Sequence, residues 1–458
     1  MVQEILTQNR YPNFTSPMVT FQTYPLGSAT YIYYCCLLAG TEESTMMLIQ
    51  AFMMVCAIMP MFSLIGKHKL SAFLYMIVFT NFAFVYVDNV YLASLLVDSL
   101  LSLFSMGSFL IIWSISFQTA DSVDENKKTD IWVAAPLLAM TVMIKNSGIF
   151  FAIPSMLVLV SAWKQDSRRK LLYAAGILMP LVYILLWRQH CEYAFWNAAY
   201  SKHAVSFARY AERFQSLPTD FIEDTGRRIL DFLLGHPAFF CIPAMLLALV
   251  GYNSLFHKDR VKGSLCFSGA LYFMYLLYMA GVYGMYVFSM PAAETEELLE
   301  LKRYVDTMDL AAFYLITAYM LRYMGETNFN RKMIAAFAAL LVLWGCTANW
   351  RVISGRRQTY ARQWFEAQIQ QYNIPLGTPC FLCNSVDIAD GYLRNIISSL
   401  LWSPDIYMKD MFTGDSMDNL HKIPYLIMFD YDDEEMNQWI QENYPEQYGN
   451  TVIIPSSK

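Results

Sequence analysis

The sequence predicts an all-α polytopic membrane protein, a bundle of about ten transmembrane helices followed by a small C-terminal α/β extracytoplasmic domain. Three observations carry that reading. Of 458 residues, 56% are hydrophobic and only 15% charged, against about 25% charged in soluble domains. Apolar runs near the length that crosses a hydrocarbon core of about 30 Å recur between residues 45 and 351. Beyond residue 352 charged and amide residues return, and short strand-like runs alternate with helix-like ones. The domains expected are therefore an outer-face juxtamembrane segment at 1–44, a transmembrane domain at 45–352 and a soluble domain at 353–458.

The apolar runs at 45–65, 70–87, 91–118, 130–145, 149–163, 170–188, 232–255, 264–289, 308–323 and 331–351 read as helices. Backbone in lipid must satisfy its hydrogen bonds within its own segment, and a helix does so. The fourth and fifth runs are short and meet at "KNSG", 145–148, so they read as a hairpin reaching the headgroup region. Lysine and arginine set the orientation. "GKHKL" (66–70), "DENKKTD" (124–130), "WKQDSRRK" (163–170), "HKDRVKG" (257–263) and "LRYMGETNFNRK" (321–332) fall on every second connection. By the positive-inside rule those connections face the cytoplasm. The connections at 41–44, 87–89, 145–148, 189–231 and 291–307 then face outward, as does the C-terminal domain, in a multi-pass plasma-membrane protein.

The net charge of −6 is spread over the loops with no basic patch, which excludes a nucleic-acid partner. Most of the nine cysteines lie in or beside apolar runs and imply no disulfide framework. The "CFLC" pair, Cys380 and Cys383, has the spacing of a redox or zinc half-site, but no second pair or histidine lies nearby to complete it. In 353–458, "PCFLC", "DIYMK", "YLIMF" and "TVIIP" read as strands, "ADGYLRNIISSLLW" and "DEEMNQWIQENY" as helices. That domain carries no phosphate loop or nucleophile motif and reads as a packing cap over the outer face. "NFT", 13–15, has the form of a glycosylation sequon.

Asp98, in "YLASLLVDSLLSLFSMG", is the most informative single residue. An aspartate inside a helical span costs roughly 2.5–3.5 kcal/mol, so something must offset it. Tyr91, Ser94, Asp98, Ser102 and Ser105 are spaced to share one helix face, which would look into the bundle near the outer surface. Asp98 is thus a candidate catalytic residue or a buried structural aspartate paired with a hydroxyl or a cation. Asp88, in "VYVDNVY", is a second candidate acid or a cap for the helix that follows. Lys145, beside Asn146 and Ser147, would neutralise a phosphate, neutralise Asp98, or snorkel at the interface. Arg303 and Tyr304, in "LKRYVDT", stand just before a span, as a lipid-phosphate site or an interfacial anchor would.

The long outward connection holds "EYAFWNAAYSKHAVSFARYAERFQ", 192–215, where aromatics alternate with Lys202, His203, Arg209 and Arg213. This is the pattern of an interfacial amphipathic helix, which could hold an anionic headgroup or simply lie on the membrane. Near the start, "QTYPLGSATYIYYCCLLAG" places Tyr24, Pro25 and Gly27 ahead of a tyrosine-rich run at 25–40. That run is either a marginal span or a helix lying along the interface, where its tyrosines belong.

"FQTYPLGSATYIYYCCLLAGTEES" resembles the first outer loop of the GT-C fold glycosyltransferases, in which a Tyr-Pro-Pro-Leu/Gly motif opens a juxtamembrane helix; here Leu26 replaces the second proline. "LVDSLLSLF" resembles the second acidic position of that superfamily, and "MIKNSG" and "KRYVDT" resemble phosphate-side elements of a bacterial branch of it. The resemblance implies transfer of a sugar from a polyprenyl-phosphate carrier to a cell-envelope glycan, lipid or protein acceptor on the outer face. It also implies phosphate-binding roles for Lys145, Lys202, His203, Arg209, Arg303 and Tyr304. It implies no particular cofactor; a divalent metal is compatible with the family, and nothing in the sequence fixes metal ligands.

The family's catalytic aspartate stands after a first transmembrane helix, upstream of the Tyr-Pro motif. Here Glu4 is the only acid ahead of Tyr24, while Glu42 and Glu43 follow it. The expectation is a chain lacking that first helix and aspartate, inactive as it stands. The alternative class is a non-catalytic membrane scaffold, a lipid-carrier binder or transporter.

Overall fold

The structure, a computed structural model, describes residues 2–13, 24–64, 95–117, 126–165, 170–195, 215, 217–290, 292–324, 360–383, 392–403, 405–408, 425–428, 438 and 453–455. The chain divides into two compact units, Phe21–Gly355 and a second that joins Met1–Thr20 to Arg356–Lys458.

The larger unit is helical. Its elements are α2 (Gly27–Ala39), α3 (Glu43–Ile58) continuing as a 3₁₀ stretch (Met59–Leu64), α4 (Asp98–Phe117), α5 (Asn126–Ile144), α6 (Gly148–Gln165) and α7 (Lys170–Ala194). Then come α8 (Thr219–Gly235), α9 (Pro237–Phe256), α10 (Val261–Phe288), α11 (Ala292–Glu297) and α12 (Leu301–Met324). Helix α1, Val2–Gln8, belongs to the other unit.

Among the described residues, four helical stretches are long and apolar enough to cross a membrane: Glu43–Phe62, Lys170–Ala194, Pro237–Phe256 and Lys258–Phe288. Their outer surfaces are apolar. Leu171 is 87% exposed, Leu247 72%, Leu255 76% and Phe273 66%, as expected where lipid rather than water is the solvent. Prolines inside α5, α6, α7 and α9 (Pro136, Pro154, Pro180 and Pro243) are of the kind tolerated in such helices. The expected spans at 70–87 and 331–351 lie outside the described residues.

Helix α2 has 13 residues and is about 20 Å long, too short to span. Leu37 and Leu38 on it are 57% and 92% exposed, which suits the surface-lying of the two readings. The "KNSG" hairpin is present: α5 and α6 are joined by a tight turn in which the Gly148 amide donates to the Lys145 carbonyl at 2.8 Å. A Cβ on Gly148 would lie 2.2 Å from the Thr141 carbonyl oxygen, so only glycine fits that closure.

Three expected spans differ in the structure. The run at 91–118 does not place Asp98 inside a helix: residues 95–97 are non-helical and Asp98 opens α4. A carboxylate is favoured at a helix N-terminus, and the buried side chain of Gln50 donates to the Leu96 carbonyl at 2.9 Å, satisfying the irregular backbone there. The run at 232–255 is broken at His236, because Pro237 disfavours helical geometry in the residue before it and suits the first turn of the next helix. The last described span starts at Leu301 rather than 308, so Arg303 and Tyr304 sit within its first turn and not ahead of it.

The smaller unit carries α13 (Tyr360–Gln371), β1 (Cys380–Cys383), α14 (Tyr392–Leu401), β2 (Ile406–Met408), β3 (Tyr425–Met428) and β4 (Ile453–Pro455). The four strands are the four apolar runs read from sequence, in sheet order β2-β1-β3-β4. β1 pairs in parallel with β2 and β3, and β3 pairs antiparallel with β4. Phe365, Ile374, Leu382, Ile397, Leu401 and Ile427 build the core. Cys380 is wholly buried in it. Burial pushes its thiol up to about 12, which makes it a packing residue rather than a reactive one.

Candidate functional site

The starts of α4 and α12 and the turn between α5 and α6 bring three charges together. Lys145 Nζ lies 2.5 Å from Asp98 Oδ1, with side chains 9% and 6% exposed. Arg303 Nε lies 3.5 Å from the other oxygen, Asp98 Oδ2. Of the hydroxyl or cation that its burial calls for, the partners of Asp98 are thus two cations. Lys145 does not snorkel: it is buried and turned onto the carboxylate. Burial opposes its ammonium, but Asp98 and the hydroxyls of Tyr24, Tyr304 and Tyr278 outweigh that, and its pKa is raised.

Tyr304 forms the floor of the cluster. Lys145 Nζ stands 4.7 Å from its ring centroid, the guanidinium carbon of Arg303 5.1 Å from the same ring, and Arg303 Nη2 donates to the Tyr304 hydroxyl at 3.2 Å. Cation–π contacts at a desolvated site are worth about 2 kcal/mol. Tyr278 of α10, whose ring packs against Phe150 and Phe151, lies beside Lys145 and Asp98. Ser102 donates to the Thr307 carbonyl at 2.5 Å, locking α4 to α12. Ser102 and Ser105 are buried, so the polar face that starts at Asp98 looks into the bundle.

Tyr24, Pro25 and Gly27 also reach this place. Tyr24 lies in the electrostatic field of Lys145, Tyr304, Asp98 and Arg303, and burial raises its pKa. The reason is the close seat of Gly27. A Cβ there would meet Met143 Cβ at 2.7 Å and its carbonyl oxygen at 2.8 Å. The start of α2 is therefore pressed against the end of α5, two residues from Lys145.

Buried Lys145 and partly buried Arg303 give two positive charges against the single buried carboxylate of Asp98. Glu300, 48% exposed, balances the excess from the rim at 3.5 Å from Arg303 Nη1. Arg303 Nε is buried with no hydrogen-bond partner among the described residues. The segment bearing Glu300 is held in left-handed conformations at Leu298 (φ 49°) and Glu300 (φ 64°), each uncommon outside glycine. The Tyr286 hydroxyl donates to the Leu299 carbonyl within it. Two cations on one buried carboxylate, with a rim carboxylate that an incoming group could displace, can receive an anion of phosphate type.

Asp88, Lys202, His203 and Arg209 lie outside the described residues, as do Tyr91 and Ser94. Sequence reasoning missed Gln50, Tyr278 and Glu300. It also missed a second buried cluster, in which His236 Nε2 lies 2.7 Å from Asp309 Oδ2 and 3.8 Å from Asp306 Oδ1. Two signals for that cluster were present: the "GHP" break, and the Asp306–Asp309 spacing of three on one helix.

No protein-family model and no curated protein sequence matches the chain. Among solved structures, the chain is similar to ArnT from Cupriavidus metallidurans in the apo state, with a TM-score of 0.53 and 11% identity over 99% of this chain and 91% of that one. At that identity the likeness speaks for the fold, and it is the one the motifs implied: the chain is a multi-pass membrane protein of GT-C fold with a small α/β unit.

Proposed function

We propose that the protein is a membrane glycosyltransferase that takes a sugar from a polyprenyl-phosphate carrier and passes it to a cell-envelope acceptor. The observation that carries this reading is the Asp98–Lys145–Arg303 cluster on the Tyr304 ring, in which two cations share one buried carboxylate and the balancing charge comes from the half-exposed Glu300 at the rim.

Transfer forms a bond between the acceptor oxygen and the anomeric carbon and breaks the bond from that carbon to the phosphate oxygen. The departing polyprenyl phosphate carries the electron pair, and a base takes the hydroxyl proton. Arg303 and Lys145 would stabilise the growing phosphate charge in a site that excludes water, where such stabilisation counts most. Glu300 would be displaced from Arg303 as the phosphate enters. Asp98 is engaged by two cations and is therefore assigned to holding them. Tyr24 would close the pocket from the start of α2, and Lys202, His203 and Arg209 would extend the cationic path outside the membrane. By the positive-inside pattern the site opens on the outer face.

The engagement of Asp98 also favours a second reading, a carrier-lipid binder without transfer. Membranes bearing the chain, given labelled polyprenyl-phosphate sugar and cell-envelope acceptors, separate the two. The transferase reading expects chain-dependent label in the acceptor, reduced at least tenfold by Arg303→Ala. Carrier binding with no transfer would establish the second reading instead.

A further inference from the structure

The second buried cluster has the construction of a metal centre. His236 is held at the corner between α8 and α9 in extended geometry (φ −91°, ψ 115°), its ring stacked on Phe232 at 5.6 Å. Asp306 and Asp309, three residues apart, share a face of α12, and both are buried, at 3% and 0% exposed. Their two carboxylates are arranged alike. Asp309 Oδ1 accepts from the Tyr275 hydroxyl at 2.9 Å while Oδ2 faces His236 Nε2 at 2.7 Å. Asp306 Oδ2 accepts from Lys302 Nζ at 2.6 Å while Oδ1 lies 3.8 Å from the same nitrogen. Each carboxylate thus has one oxygen anchored by a donor and the other turned toward a common point. Outer hydrogen bonds orient metal ligands in this way.

Asp306 Oδ1 supplies the independent observation: it is buried and has no hydrogen-bond partner among the described residues. A buried acceptor left so costs about 1–3 kcal/mol, and more for a charged group; a cation would remove that cost. One nitrogen and two carboxylate oxygens, all within 4.8 Å of one another, suit a borderline dication such as Zn²⁺, with one coordination position left open. Ca²⁺, which takes six to eight oxygens, does not match three ligands with one from imidazole.

We infer that His236, Asp306 and Asp309 bind a divalent transition-metal ion of the Zn²⁺ class. The ion joins the α8–α9 corner to the first turns of α12 and fixes the stretch that carries Arg303 and Tyr304. This inference does not rest on the glycosyltransferase reading.

The test is metal content of the purified full-length chain in detergent, stripped with chelator and dialysed against Zn²⁺. One equivalent per chain is expected, with affinity lowered at least tenfold in both His236→Asn and Asp306→Asn, while Arg303→Ala keeps its metal. Folded wild type that takes up no stoichiometric Zn²⁺, or an Asp306→Asn variant that binds like wild type, would overturn the inference. It would leave a closed ionic network of His236 with Asp309 and Lys302 with Asp306. A second measurement needs no variant: Co²⁺ added to stripped wild type should give the intense visible absorption of a four- or five-coordinate nitrogen/oxygen site. The weak spectrum of the aquo ion alone would equally overturn the inference.

Discussion

Replacing Lys145 with methionine removes the nearer partner of a carboxylate that is only 6% exposed. Breaking a buried pair from one side costs about 3–5 kcal/mol, because the remaining charge has been stripped of water and left alone. Asp98 would not be wholly alone, since Arg303 stays 3.5 Å from its other oxygen. The expected loss is therefore at the low end, about 3 kcal/mol, or roughly a hundredfold in the folded-to-unfolded ratio. Asp98→Asn should cost a similar amount by exposing the two cations to each other. In the double variant the two losses should fail to add, with a coupling energy of about 2 kcal/mol, inside the range for contacting charged partners. Equilibrium unfolding of the four proteins in mixed micelles reads all of this. Single losses below about 0.5 kcal/mol that simply add would place the pair among solvated surface pairs and refute the buried-cluster reasoning.

Gly27→Ala must push α2 off Met143, since its Cβ would stand 2.7 Å from Met143 Cβ; overpacking of this kind costs about 1–3 kcal/mol, read as a lowered unfolding midpoint with weakened carrier binding. Lys145 has a folded pKa raised above its ordinary 10.5. Its contribution to stability should therefore be complete below that value and fall away as pH climbs from there toward the folded pKa. The difference in unfolding free energy between wild type and Lys145→Met should shrink over that alkaline range and stay flat at neutral pH. Tyr304→Leu should lose the two cation–π contacts, about 2 kcal/mol each at a desolvated site, while Tyr304→Phe keeps the ring and loses only the hydroxyl that accepts from Arg303. Glu300→Gly should stabilise the loop ahead of α12 by about 1 kcal/mol, because glycine tolerates the left-handed backbone at φ 64°.

Legibility from sequence followed the range of the force involved. Long apolar runs located most described helices, and short ones located all four strands, because both report local burial. Asp98 was legible as an anomaly, since a carboxylate among leucines needs a partner; which partner was not, because Lys145 and Arg303 are 47 and 205 residues away in the chain. The helix start at Asp98 was hidden by the mostly apolar composition of 91–97, which carries no glycine or proline to mark a break. Gln50 shows why: one buried amide from another helix satisfies the irregular backbone at Leu96, and no local pattern records that. His236 was missed although a proline follows it, and its value depends on two aspartates some seventy residues on, at the start of α12. Gly27 reads in sequence as a turn residue, whereas its structural role is the close seat against Met143.

On the proposed function, the cations around Arg303 recognise the phosphate of a polyprenyl carrier. The most direct test is equilibrium binding of labelled polyprenyl phosphate to the purified chain in nanodiscs, against the neutral polyprenol of the same length. Hydrogen bonds to charged groups contribute about 1.5–3 kcal/mol. Saturable binding of one carrier per chain is therefore expected, requiring the phosphate and weakening roughly ten- to a hundredfold in Arg303→Ala. Equal binding of the neutral polyprenol, or an Arg303→Ala protein that binds the phosphate as wild type does, would contradict it.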